Sequence, residues 1–429
     1  MNATALSIGA ALFAALGVAC SPTMPSNPDG SSSPDATANN DGAVTPGEDG
    51  SMMTGDGSSN PCASGSCPAV AQLALSQDYS CARIQDGTLR CWGRNLAGQL
   101  GDGTMTDHPR PVVSMPSNLV HVSTGYEHAC AVRMDGTVWC WGAGSNGQLG
   151  NGAMDASATP VQVMGITNAT KVVAGQYASC ALLADRGVRC WGRGTDLGAN
   201  TLANSAVPVV TMNLTDATDL TMGFTATRSG NSQTACALRM NGSIRCWGYG
   251  NEGQIGDGTR NSARVPTDVM GITNARAVVA GGSHVCALLA DNTVRCWGDG
   301  ISGQLGDGTQ EIRSTPVPVT GLSNVRSLAL GDRFSCAVLM DGTAQCWGEG
   351  GRAQLGRGMI PPVGMNRFPT PAPVVGLSNI VAMGAGEEHA CAFTMDGVTR
   401  CWGDNSFGQL GDGNATTLER FPTPLAVQW

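Results

Sequence analysis

One pattern dominates this chain: Cys-Ala, a short hairpin segment, then Cys-Trp-Gly, repeated seven times. The first copy runs Cys81-Ala82-Arg83-Ile84-Gln85-Asp86-Gly87-Thr88-Leu89-Arg90-Cys91-Trp92-Gly93. The others pair Cys130 with Cys140, Cys180 with Cys190, Cys236 with Cys246, Cys286 with Cys296, Cys336 with Cys346 and Cys391 with Cys401. Successive first cysteines are 49, 50, 56, 50, 50 and 55 residues apart, a period that suits a four-stranded propeller blade better than a shorter solenoid turn. Composition agrees: charged residues make up 13%, about half the usual share of roughly 25%, and there are 60 glycines. Glycine is unfavourable inside helices but supplies the positive φ of tight turns. The expected fold is all-β, a seven-bladed β-propeller of four-stranded blades with one cross-strand disulfide per blade.

The disulfide follows from the hairpin. A three-residue loop over residues 85 to 87, with Gly87 in the left-handed position, pairs 84 with 88, 83 with 89, 82 with 90 and 81 with 91. Cys81 then faces Cys91 at a non-hydrogen-bonded site, where Cα atoms are about 4.5 Å apart and a disulfide can form. Zinc sites leave two to four residues between paired cysteines, whereas nine intervene here, so no metal and no other cofactor is expected. Cys62 and Cys67 form a further expected pair, which accounts for sixteen of the 17 cysteines and leaves Cys20 over.

Trp92, Trp141, Trp191, Trp247, Trp297, Trp347 and Trp402 each follow the second cysteine, and strand alternation sends Trp and Cys to opposite, buried faces of the blade. A second signature comes next: Gly98-Gln99-Leu100-Gly101, echoed at 147–150, 253–256, 303–306 and 408–411, with Ala353-Gln354-Leu355-Gly356 a near match. No Lys-Ser or Lys-Thr follows it, so it reads as a tight turn with Leu packed beneath and not as a phosphate cradle. The third copy departs, with Thr195-Asp196-Leu197-Gly198.

This combination resembles the regulator of chromosome condensation repeat over residues 69–429, nearly the whole folded region. The resemblance implies a circular seven-bladed propeller, with the closing strand supplied by the segment from Phe421 to Trp429. It also implies relatives that include eukaryotic exchange factors for a small GTPase and a secreted bacterial propeller that inhibits β-lactamases.

The first sixty residues differ in kind. Ala3 to Ala19 is uncharged and mostly apolar and ends in Gly17-Val18-Ala19-Cys20, which reads as a lipoprotein-type signal over residues 1–20 with Cys20 as lipid acceptor. No basic residue precedes the apolar run, and Gly17 stands where such signals carry Leu, so an ordinary signal peptide or an uncleaved anchor is the alternative. Residues 21–60, rich in Ser, Pro, Gly and Asp, lack the bulky side chains to offset ordering entropy and read as a disordered tether, with the seven-repeat propeller over 61–429. The expected location is therefore outside the cytoplasm: an outer-membrane or cell-surface lipoprotein, alternatively periplasmic or secreted.

Net charge is −9 and Lys171 is the sole lysine, which argues against a nucleic acid partner. Membrane contact is expected only through the lipid anchor. No catalytic constellation is evident, and function is expected on loops held by a rigid scaffold. The candidate binding rim precedes each first cysteine: Tyr126, Glu127, His128, Gln176, Tyr177, Phe224, His284, Asp332, Arg333, Phe334, Glu387, Glu388 and His389. The chain thus reads as a monomeric, non-catalytic binding or scaffold protein of the bacterial cell envelope that engages a protein or cell-wall ligand. The alternatives are guanine-nucleotide exchange by family analogy and a propeller-based hydrolase or lyase.

Overall fold

A computed structural model describes residues 68–115, 117–223, 233–362, 364–415 and 420–429. The proposed signal, the tether, Cys20, Cys62, Cys67 and Phe224 lie outside the described residues. Among these residues, twenty-eight strands form seven antiparallel sheets, each of four strands in chain order. The first blade comprises Val70–Leu75, Tyr79–Ile84, Leu89–Gly93 and His108–Met115. The first strands of successive blades touch around the ring, and the first of these touches the last, so they form the inner wall and the fourth strands the outer edge. That outer edge carries prolines such as Pro109, Pro160, Pro266 and Pro422, which cannot offer an N–H to a foreign strand.

The hairpin register is as the sequence dictates. Cys81 pairs with Cys91, Ala82 with Arg90 and Arg83 with Leu89, and the Ile84 amide donates to Thr88 O at 2.9 Å. All seven disulfides form, with Cα atoms 4.0–4.1 Å apart. Gly87 has φ +83°, while the third and fifth blades put Arg186 (+68°) and Asn292 (+64°) at that turn position.

Between blades, one contact repeats seven times. Each blade tryptophan is fully buried and donates its indole N–H to a main-chain carbonyl of the preceding blade. Trp141 reaches Gln99 O at 2.9 Å, Trp191 reaches Gln148 O at 2.8 Å, and Trp92 reaches Gln409 O at 2.9 Å to close the circle. The glycine ending each signature makes room for this ring. A Cβ on Gly101 would stand 2.6 Å from Trp141 Nε1, and its φ of +70° already favours glycine.

Closure departs from the expectation of a strand brought in from the end of the chain. Arg420–Ala426 is the outer strand of the seventh blade, beside Thr399–Asp404, and the first blade builds all four of its strands from residues 70 to 115. The seam is joined by side chains: Trp429 meets Trp92 edge-on at 5.8 Å, and Val427 and Leu410 pack with Val70, Ile84 and Trp92. The Gly413 amide donates to Pro109 O at 3.0 Å across it, as Gly103 does to Ala158 O between the first two blades.

Candidate functional site

Antiparallel order places two loops at one end of every blade: the loop joining inner to second strand and the long loop joining third to outer strand. This end is the loop face. The hairpins and the connections between blades lie at the other end, the turn face.

Four expected rim residues do not lie on a rim. His128, His284, His389 and Phe334 are each the first residue of a second strand and at most 1% exposed. Alternation is the reason, because a residue two before the cysteine points the same way as the cysteine, into the next blade. Gln176 and Asp332 are also buried, at 5% exposure, whereas Tyr126, Glu127, Tyr177, Arg333, Glu387 and Glu388 are half-buried at the surface.

The three histidines instead complete a bond between blades. His128 Nε2 lies 2.8 Å from Ser179 Oγ, His284 Nε2 2.7 Å from Ser335 Oγ, and His389 Nε2 2.8 Å from Ser80 Oγ. Each serine hydroxyl donates to the carbonyl that also accepts the tryptophan N–H: Gln148, Gln304 and Gln409 respectively. With the serine proton committed there, the imidazole donates from Nε2. Burial pushes the His128 and His284 pKa values down to about 3 and that of His389 down to about 4, the last partly opposed by Asp404. Sequence follows this geometry through the whole ring. His before one blade's cysteine is always matched by Ser in the next, whereas Tyr79, Ala178, Thr234 and Phe334 face Ala129, Ala235, Val285 and Ala390.

At the surface, four neighbouring blades bring carboxylates together. Burial, then the charges of Asp332, Glu388 and Asp78, push Glu387 up to about 9 despite Arg333 nearby. Burial raises Glu388 to about 7, although Arg352 Nε sits 3.2 Å from its Oε2. Asp78 rises to about 6, again mainly through burial, while Arg94 Nη1 donates to it at 3.1 Å. The Tyr126 phenol feels Glu387, Glu127 and Asp78 and is itself raised, chiefly by burial. The cluster therefore spans the sixth, seventh, first and second blades. Sequence reading missed Asp78, Arg94 and Arg352. The loop of the first copy, Ser76-Gln77-Asp78, lacks the leading glycine that marks the others, although counting back three residues from Cys81 finds Asp78.

The departure in the third copy also leaves a mark. Two residues fewer separate Trp191 from Asp196 than separate Trp141 from Gln148, yet Asp196 O still receives the next tryptophan N–H, from Trp247, at 3.0 Å. The shorter loop opens a cleft of about 380 Å³ lined by Arg193, Leu202, Tyr249 and Arg264. Arg193 pairs with Asp196 at 2.7 Å and lies over the Tyr177 ring at 4.9 Å.

Among known proteins, the family model described as RCC1-like domain matches residues 42–365, and that of the regulator of chromosome condensation (RCC1) repeat matches residues 380–409. The fold resembles yeast RCC1 (Prp20), solved bound to Kap60, with TM-score 0.68 and 20% identity over 84% of this chain and 85% of that one. It also resembles Prp20p from Saccharomyces cerevisiae, described with its binding to Gsp1p and histones (TM-score 0.69, 20% identity, 84% and 87% covered). Human WBSCR16 is similar at TM-score 0.67 and 21% identity, with 79% and 94% covered.

Proposed function

The chain belongs to the RCC1-like propeller family, and from that footing we propose that it is a binding module, not an enzyme, whose loop face takes up a basic protein surface. The observation that carries this reading is the convergence of Asp78, Glu387 and Glu388, three half-buried carboxylates whose pKa values are all raised. Like charges held together out of water gain when a lysine- or arginine-rich surface neutralises them. Tyr126 borders the cluster as an amphipathic contact group. The seven disulfides suit an oxidising, extracytoplasmic setting. Within it we place the protein on the bacterial envelope, held by a lipid on Cys20, with Cys62 bridged to Cys67 and the propeller monomeric. Guanine-nucleotide exchange and hydrolysis gain no support from a likeness at about 20% identity, which speaks to fold alone.

A cation at this cluster favours the ionised carboxylates, so the complex holds fewer protons than the free protein and affinity rises with pH between about 6 and 9. Titration of the full chain with a lysine-rich peptide tests the reading. Binding is expected to strengthen over that range, to weaken with salt, and to vanish in the Asp78→Asn, Glu387→Gln, Glu388→Gln triple variant. Equal binding by the variant sinks the assignment. Intact and peptide mass spectrometry of protein from its native host tests the envelope reading: diacylglycerol on an amino-terminal Cys20 supports it, and an intact Met1 with free thiols overturns it.

A further inference from the structure

The side chains most easily oxidised are distributed unevenly. The fourteen blade cysteines are all in disulfides, and the seven blade tryptophans are fully buried. The methionines are the reverse. Of the fourteen in described positions, eleven are exposed. Seven of those belong to the turn face and recur by position: Met134, Met240, Met340 and Met395 open the hairpins, at 50–77% exposure, and Met164, Met212 and Met270 follow outer strands, at 42–54%. The hairpin methionines do not anchor their turns through the side chain. What holds the turn is the backbone, as where the Met134 amide donates to Asn118 O at 2.9 Å and the Met240 amide to Asp216 O at 3.0 Å. Gln85, Ala184 and Ala290 fill the same position in the other blades. A thioether is the apolar group least suited to permanent exposure beside an oxidant, because sulfur is readily converted to sulfoxide.

We propose that the turn face is an oxidant-consuming surface, in which exposed thioethers react with hypohalous acids or peroxides before those reach the indole core. In the reaction with hypochlorous acid, a sulfur lone pair takes the oxygen and forms the S–O bond, the O–Cl bond breaks, and chloride and a proton leave. Sulfur is oxidised by two electrons and the oxidant is reduced by two. With hydrogen peroxide the O–O bond breaks and water leaves. The blade geometry lets this happen without unfolding, because a turn side chain in solvent becomes a more polar side chain in solvent. At Met115 and Met222, 2% and 6% exposed, the same conversion would place a sulfoxide in the core.

The test is a stepwise hypochlorous acid titration of the full chain, followed by peptide mass spectrometry, tryptophan fluorescence and thermal melting. Sulfoxide is expected first at the eleven exposed positions, the seven of the turn face among them, and last at Met115 and Met222, with fluorescence and melting temperature unmoved until the exposed methionines are spent. In a variant carrying Met134→Leu, Met240→Leu, Met340→Leu and Met395→Leu, tryptophan loss begins about four molar equivalents earlier, one per thioether removed. Uniform oxidation of buried and exposed methionines overturns the proposal. So does an unshifted onset in a variant whose untreated melting temperature equals that of the wild type.

Discussion

The faces between blades and the loop face are built from the same repeat yet handle polar groups in opposite ways. Between blades, the donors that recur with the repeat have assigned acceptors: indole N–H to carbonyl seven times, and imidazole to serine to that same carbonyl three times. On the loop face, Asp78, Glu387 and Glu388 are partly buried among other carboxylates, and burial first, then those charges, raise their pKa values despite Arg94, Arg333 and Arg352. Hydrogen bonds that recur with the repeat are thus concentrated where the ring is made, and carboxylates of raised pKa on the loop face.

The comparison can be broken most forcefully in the ring. Trp347→Ala removes a fully buried indole and one of the two donors to Gln304 O, the other being Ser335 Oγ, and denaturant titration is expected to show a loss of about 3–5 kcal/mol. Replacing Cys336 and Cys346 together by alanine comes next, at about 2–3 kcal/mol, because the hairpin closes a short loop with or without the bridge.

A subtler test uses the protein's own variation. The His284→Phe, Ser335→Ala double variant copies the Phe334 and Ala390 interface into its neighbour. The unfolded imidazole takes a proton below about 6.5, the folded one only near 3, so each histidine network stabilises fully above pH 6.5 and loses that contribution as pH falls toward 3. The double variant is expected to match the wild type within about 1 kcal/mol at pH 7.5, and to lose about 1.4 kcal/mol less per pH unit on acidification below 6.5. Parallel pH profiles for the two proteins would show that the histidine is not buried neutral.

On the loop face the sign reverses. An unfolded glutamate ionises near 4.5 and Glu387 near 9, so its stabilising contribution is whole below pH 4.5 and declines as pH rises through that window. Glu387→Gln is therefore expected to raise stability by about 1 kcal/mol at pH 8 and to leave it unchanged at pH 4, measured by thermal melts at both pH values.

Most of the ring was legible in sequence, because a ten-residue cysteine interval across a three-residue turn admits one register, and strand alternation then fixes which way Trp and Cys point. The seam was not. A strand at the end of the chain can complete the last blade or cross to the first with the same local pattern, and only the pairing of Cys401 with Leu425 decides it. The site was partly legible. Tyr126, Glu387 and Glu388 were found from the variable loop, while His128, His284, His389 and Phe334 were misplaced because loop and strand were divided one residue too late. The match of His in one blade with Ser in the next was present in the sequence. It becomes visible once alternation is applied across two repeats instead of within one.

Because no blade borrows a strand from another, the boundary of the genetic repeat is also the boundary of the folded unit. Duplicating or deleting one stretch of coding sequence adds or removes a whole blade and leaves no half-paired sheet behind. The chain could equally be opened at any of its connections between blades and rejoined at the present seam. In such an architecture the position of the chain ends and the integrity of the circle are separate properties.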